Sequence, residues 1–190
     1  MTTTYDQHYQ TEDLFGSPYP ELVHFFENYA PKRKLLDLGC GQGRNALALA
    51  KLGYHVTGID SSQVGINQML QKAHSTNLIV KGIVGDIYSF ENYADYDVVL
   101  FDSMFHFEKR DRKKETSLIK KACTLISSKS VICTCILDTG SKVKILKDTI
   151  RESGIAFEIL NDSSLFYKFE DTETGHQSEM KYCMYIVRKK

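Results

Sequence analysis

The chain has no surplus charge of either sign: Lys and Arg together number 24, Asp and Glu 24, over 190 residues. That balance argues against a general nucleic-acid or anionic-membrane binder, which needs clustered cations to displace counterions. The basic run from Lys109 to Lys121 is interrupted by Asp111 and Glu115 and reads as a solvated helix face rather than a phosphate patch. No apolar stretch reaches the roughly 20 residues of a membrane span, and the polar N-terminus lacks the core of a secretion signal. The expectation is therefore a cytoplasmic protein without a membrane partner. No Cys-x-x-Cys occurs among the five cysteines, so no disulfide or zinc framework is signalled. The close pair Cys133 and Cys135 alternates on one face of an apparent strand and reads as small buried hydrophobes. A soft-metal or arsenic site using these two with Cys40 is the weaker alternative. Internal repeats and low-complexity segments are absent too. With 42% hydrophobic residues the chain can bury one full core, and its length leaves no room for a second sizeable domain.

What is present is concentrated in Leu35-Leu36-Asp37-Leu38-Gly39-Cys40-Gly41-Gln42-Gly43-Arg44-Asn45. The short apolar run reads as the central parallel strand of an α/β sheet, and the Ala/Leu-rich run from Asn45 to Leu52 reads as the helix that follows. The glycines thus fall in a strand-to-helix turn, where they tolerate positive φ and let backbone approach a ligand, while the helix start offers N–H groups. The spacing is Gly-x-Gly-x-Gly, and Arg44 stands where the third glycine of a dinucleotide-binding Gly-x-Gly-x-x-Gly would fall. A carboxylate at Asp37 would repel a pyrophosphate but suits a ligand carrying an ammonium or sulfonium cation.

Asp37, Gly39, Gly41 and Gly43 together resemble the first motif of the class I S-adenosylmethionine (SAM)-dependent methyltransferases, acidic-x-Gly-x-Gly-x-Gly. The resemblance continues at spaced intervals. Tyr54 to Asp60 reads as a second strand ending in an acid 23 positions after Asp37, placed to accept from ribose hydroxyls. Leu78 to Val84 reads as a third strand before Gly85-Asp86-Ile87, which resembles the family's adenine-reading segment, with Asp86 accepting from the exocyclic amine and Ile87 packing on the ring. Tyr96 to Phe101 reads as a fourth strand opening into Asp102-Ser103-Met104-Phe105-His106-Phe107, where the family places methyl transfer. Strand carboxyl ends form the ligand crevice of open α/β sheets, so these segments converge. Cys40, Asn45, Ser61, Asp102 and Ser103 join the cofactor-binding set on the same resemblance. The loop and the following Leu52-Gly53-Tyr54-His55-Val56-Thr57-Gly58 resemble most closely the small tellurite-resistance and thiopurine type of enzyme, which acts on small molecules.

The rest of the chain alternates helix and strand: a helix over 112–126, strand five over 130–137, a helix over 142–152 capped by Ser141 or Asp138 and ended by Gly154, strand six over 156–160 and strand seven over 181–187. Leu165 to Glu170 alternates like an extra strand and Asp171 to Gly175 turns back. The resemblance implies one Rossmann-like α/β domain with a seven-stranded mixed sheet, order 3-2-1-4-5-7-6, strand 7 antiparallel, and helices on both faces. Residues 1–30 form an aromatic-rich lid or helical segment with a helix from about Pro20 to Tyr29, and 31–190 the SAM-binding domain. Tyr5, Tyr9 and Phe15 in the lid, with Phe105, are the substrate-facing candidates; Phe25 and Phe26 read as packing. His106 is the candidate base if the acceptor must lose a proton, its alternative being a packing histidine; His8 and His176 are weaker. Asp102 and Asp138 loosely resemble a divalent-metal site of catechol-type enzymes but lack the third ligand pattern, so no metal is expected. The reading is methyl transfer from SAM to a small O, N or S nucleophile, leaving S-adenosylhomocysteine (SAH), by a monomer or homodimer that binds no nucleic acid. Two alternatives stay open: a SAM-binding partner subunit without activity, and a nicotinamide-dependent oxidoreductase.

Overall fold

The computed structural model describes residues 6–7, 9–30, 33–170 and 177–190. Its elements run α1 (Pro20–Asn28), β1 (Lys34–Leu38), α2 (Arg44–Lys51), β2 (His55–Asp60), α3 (Gln63–Ser75), β3 (Val80–Val84), β4 (Val98–Asp102), α4 (Arg112–Leu125), β5 (Val131–Leu137), α5 (Lys142–Arg151), β6 (Phe157–Glu170) and β7 (Gln177–Lys189). Two 3-10 turns, Ile87–Ser89 and Tyr93–Asp95, stand between β3 and β4 where no α-helix forms. The sheet order is β3-β2-β1-β4-β5-β7-β6, as expected, with β7 antiparallel to both neighbours and the other pairings parallel.

Period-two alternation divides the core into two layers. Leu35, Val98, Leu100, Val131 and Cys133 face α1, α2 and α3 through Leu22, Phe26, Leu49 and Met69. Leu36, Leu38, Val99, Phe101 and Ile132 face α4 and α5 through Leu118, Ala122, Leu146 and Ile150. Both faces of the central strands are buried, which explains their unbroken apolar runs. β1 pairs with β2 on one side and with β4 on the other, so the chain reverses direction across the sheet there, and the carboxyl ends of β1 and β4 splay around a crevice.

One expectation is corrected at the far edge. The separate strand six and extra strand are a single β6, kinked by a bulge between Ile159 and Asn161 and paired with β7 from Phe157↔Lys189 to Glu170↔Gln177. Asn161 spans the bulge, its side-chain amide donating to the Met184 carbonyl, which keeps the ladder in register past the irregularity. β5 ends opposite Tyr182, at Leu137. The rest of the β6–β7 ribbon therefore projects beyond the sheet as a two-stranded arm on the crevice side. Ser141 is the N-cap of α5 but makes no side-chain cap bond, and Asp138 is ion-paired with Lys181 instead.

Candidate functional site

Gly39, Gly41 and Gly43 all adopt positive φ, between 51° and 84°. The loop they form is laced to β2: the N–H groups of Gly39 and Cys40 both donate to the Ile59 carbonyl, at 2.8 and 3.2 Å. A Cβ at Gly41 would lie 2.5 Å from the Tyr9 hydroxyl, so only glycine leaves room for that hydroxyl to close over the loop. At Gly43, the N-cap of α2, a Cβ would lie 2.3 Å from Cγ of Met69 on α3; this glycine serves helix packing and does not line the cavity. Asp60, buried at the end of β2, accepts from the Gly41 N–H (2.9 Å) and the Ser62 N–H (2.8 Å) with its two oxygens. Its carboxylate thus buckles the loop to the start of α3, and each oxygen keeps a second lone pair for a ligand.

Asp37 points from β1 at the start of α2, where the Ala46 N–H donates to it, and its Oδ2 has no partner. Burial, followed by the nearby Asp102 carboxylate, pushes its pKa up to about 8. A buried carboxylate oxygen without a partner is costly unless a cation joins it. Asn45 Oδ1 is likewise buried and unpartnered, while its Nδ2 donates to Asp102 (2.7 Å).

Asp102, at the carboxyl end of β4, also accepts from the Arg44 guanidinium and from the Ser103 hydroxyl (2.8 Å). Arg44 donates in addition to the Phe15 carbonyl (2.8 Å) and lies over the rings of Tyr19 and Tyr167, at 5.0 and 5.8 Å. The loop after β4 is held by Glu115 of α4, a buried carboxylate that accepts from the N–H groups of His106 (3.1 Å) and Phe107 (2.6 Å). Ser103 and Phe107 take positive φ there, at 57° and 52°, a conformation L-residues adopt only when the surroundings impose it.

These groups enclose one cavity of about 1100 Å³, ample for a nucleoside-sized ligand and a second small molecule. The expected residues Asp37, Gly39, Cys40, Gly41, Asn45, Asp60 and Ser61 line its loop end, and Asp86 and Ile87 line it below β3. Asp102, Ser103, Tyr9, Phe15 and the exposed His106 complete the set that lies together. Phe105 is corrected: its ring is buried in the core, 5.2 Å from Phe101 and stacked 5.8 Å from Phe107, because alternation along the loop turns it away from the cavity. Tyr5, His8 and His176 lie outside the described residues. The two carboxylates of the divalent-metal idea are engaged by different cations, Asp102 by Arg44 and Asp138 by Lys181, and no group of three potential metal ligands occurs among the described residues. Burial holds the Cys40 thiol well above its ordinary pKa; at Cys135 the hydrogen bond with Cys133 does so first and burial adds to it, which disfavours the thiolates a soft metal needs.

Sequence reasoning missed Arg44, Tyr19, Tyr167, Tyr182, Met104, Met180 and Glu115, all of which line the cavity. Arg44 had a signal, a cation at the first position of an apolar helix. The arm residues had only their period-two alternation, which becomes informative once β6 is known to be continuous.

The sheet order, the acidic glycine loop and the acid ending β2 define a class I SAM-dependent methyltransferase fold. A family model described as "Tellurite resistance protein TehB" matches residues 5–143. The chain belongs to the TehB family. It is 27% identical over 164 residues to the probable S-adenosyl-L-methionine-dependent methyltransferase TehB of Haemophilus influenzae, covering 83% of this chain and 57% of that protein, so it spans little more than half of its relative. The crystal structure of H. influenzae TehB superposes with a TM-score of 0.72 at 23% identity, over 98% of this chain and 66% of that one. Magnesium protoporphyrin IX methyltransferase from Synechocystis PCC 6803, solved with bound SAM, gives a TM-score of 0.69 at 17% identity, over 100% and 86%. These two likenesses concern the fold.

Proposed function

We propose that this chain transfers a methyl group from SAM to a small nucleophilic molecule. The observation that carries the reading is the unpartnered, buried Asp37 oxygen in a cavity that runs from the glycine loop to Asp86. A ligand with ammonium and sulfonium cations at one end and a nucleoside at the other matches that distribution of groups. Asp37 would take the cationic end, the backbone of Gly39 and Gly41 would flank the chain of the ligand, Asp60 would accept from ribose, and Asp86 and Ile87 would read the base. Bound there, SAM would supply an electrophilic methyl carbon; the protein's part is to orient the acceptor and exclude water.

Residues 1–30 serve in this reading as the covering segment and 31–190 as the binding domain. The acceptor is a small molecule rather than a nucleic acid, consistent with zero net charge and a carboxylate-rich cavity. We place the protein in the cytoplasm, as a monomer or homodimer. Its five free, buried cysteines suit a reducing compartment, and no helix among the described residues is long and apolar enough to cross a membrane. Titration calorimetry with SAM, SAH and NADH in parallel tests the donor: micromolar binding of the two adenosyl ligands alone is expected, and binding of NADH alone would overturn the reading.

A further inference from the structure

The end of the cavity away from Asp86 has a composition of its own. Tyr19, Tyr167 and Tyr182 form a cluster of rings with centroids 5.4 to 6.5 Å apart, two pairs edge-on and one tilted. Met104 and Met180 line the same cavity, and Met104 is also the side chain nearest the face of Gly39, so this wall adjoins the glycine loop. Tyr167 and Met180 come from the arm and Tyr182 from its base, where Leu165 pairs with Tyr182 and Tyr167 with Met180, so all three project from one face of the ribbon. Tyr19 is fixed from the other side, its hydroxyl 3.3 Å from that of Ser103.

The charge of the wall is equally specific. Arg44 is the one arginine among the described lining residues, which include no lysine, and its guanidinium is already paired with Asp102 and held against two tyrosine faces. Asp37, Asp60, Asp86 and Asp102 line the same cavity. Apart from the exposed His106, an anionic acceptor would meet at this wall the Asp102 carboxylate, the negative faces of aromatic rings and, among the described lining residues, no unpaired lysine or arginine. A flat, uncharged ring would instead find edge-to-face partners and polarizable sulfur.

We propose, resting on the methyltransferase reading above, that the acceptor is an uncharged aromatic or heteroaromatic molecule bearing a nucleophilic hydroxyl or ring nitrogen, seated between Tyr182, Tyr167 and the two methionines. Its heteroatom lone pair forms the bond to the methyl carbon while the carbon–sulfur bond breaks, sulfur keeping that electron pair and becoming a neutral thioether. A hydroxyl acceptor gives up its proton to water at the exposed His106 edge of the cavity, whereas a ring nitrogen without a proton keeps the positive charge that sulfur has lost.

The test is a titration of the full chain at pH 7, first with SAH and then, on the SAH complex, with 2-naphthol, 8-hydroxyquinoline, isoquinoline, selenite and tellurite. Absence of SAH binding would defeat the methyltransferase reading itself. With SAH bound, saturable binding of at least one aromatic probe at submillimolar concentration and none of the oxyanions is expected. Tyr182→Ala should weaken the aromatic probe by about tenfold with SAH affinity within twofold, and Tyr182→Phe should retain it, since the ring face and not the hydroxyl does the binding. Oxyanion binding without aromatic binding, binding of neither class to the SAH complex, or equal affinities of the Ala and Phe variants would overturn the proposal.

Discussion

At the scale of single residues, Asp37 is the group whose chemistry depends most on what occupies the cavity. Its folded pKa of about 8 stands against an ordinary 3.8, so between these values the native state holds a proton the unfolded chain has lost. The linkage sign follows: this contribution to stability is fully present below about pH 3.8 and is lost as pH rises through about 8. Asp37→Asn should flatten the decline of Tm between pH 5 and 9, measured by thermal unfolding in the absence of ligand. A cation arriving beside Asp37 favours the carboxylate, so SAM binding at pH 7 should release up to about one proton, falling toward zero above about pH 9. Calorimetry in buffers of different ionisation enthalpy reads that number, and a release that does not vary with pH would refute it. Asp60 differs because two backbone N–H groups already occupy it. Asp60→Asn should weaken SAM and SAH alike by about 1.5 to 3 kcal/mol, the range for hydrogen bonds to a charged group. A variant that affected SAM alone would mean that Asp60 reads the sulfonium and not the sugar. Asp37 and Asp60 were both legible in the sequence because each ends or nearly ends a strand at a fixed distance from the glycines. Arg44 showed only a cation at the start of an apolar helix, and its role was hidden because its partners Asp102, Phe15, Tyr19 and Tyr167 are far away in the chain.

At the scale of elements, the loop between β1 and α2 couples the ligand cradle to helix packing. Gly43 starts α2 in the left-handed region with φ 84° and faces Met69 of α3 at a distance no side chain fits. Gly43→Ala should cost about 2 kcal/mol or more, from strain at positive φ and from overpacking together. Adding Met69→Ala should remove the overpacking part and leave the strain, apart from the cavity cost that Met69→Ala carries alone; urea unfolding of the two singles and the double variant separates them. If the effects of the two substitutions simply add, the helices do not meet at this glycine. The strands β1 to β5 were legible to within two residues, since burial on both faces leaves unmistakable apolar runs. The β6–β7 ribbon was not, because a strand with one exposed face and a bulge breaks its own alternation: Leu160 interrupts the pattern between Ile159 and Asn161. Phe105 misled for a related reason. An aromatic residue in a ligand loop looks like a ligand contact until the alternation of Met104, Phe105, His106 and Phe107 shows that it faces inward.

At the scale of the whole molecule, the chain's first described residues lie across the cavity and are held by side chains rather than by a sheet. Gln42 is the centre of this attachment, accepting from the Leu14 N–H (2.9 Å) and donating to the Thr11 carbonyl (2.8 Å) and to Gln68 Oε1 (2.7 Å), while Gln68 donates to the Tyr9 carbonyl (2.9 Å). Asp6, itself buried, accepts from the Ser62 hydroxyl (2.6 Å), and the Phe15 carbonyl accepts from both Arg44 and the Tyr167 hydroxyl (3.0 Å). The segment therefore touches the glycine loop, the start of α3 and the arm at once, but adds few fully buried apolar side chains to the core. Such a segment opens locally at a lower free energy than the sheet unfolds. Tyr9 lies over Gly41, so in the reading proposed above a ligand beside this loop and the closed segment would stabilise one another, and that coupling would be reciprocal. Gln42→Ala removes the central bonds of the attachment, which should lower the free energy of local opening by about 1 to 3 kcal/mol. Amide exchange across residues 9–15 should then accelerate by roughly 5- to 150-fold with that of β1, β4 and β5 unchanged, and SAM affinity should fall by no more than the same factor. Saturating SAM should slow exchange in this segment for the parent chain. Acceleration that spread into the central strands would show that Gln42 supports the core, and unchanged exchange at 9–15 would show that the other attachments, among them those of Asp6, Arg44, Gln68, Lys72 and Tyr167, hold the segment without it.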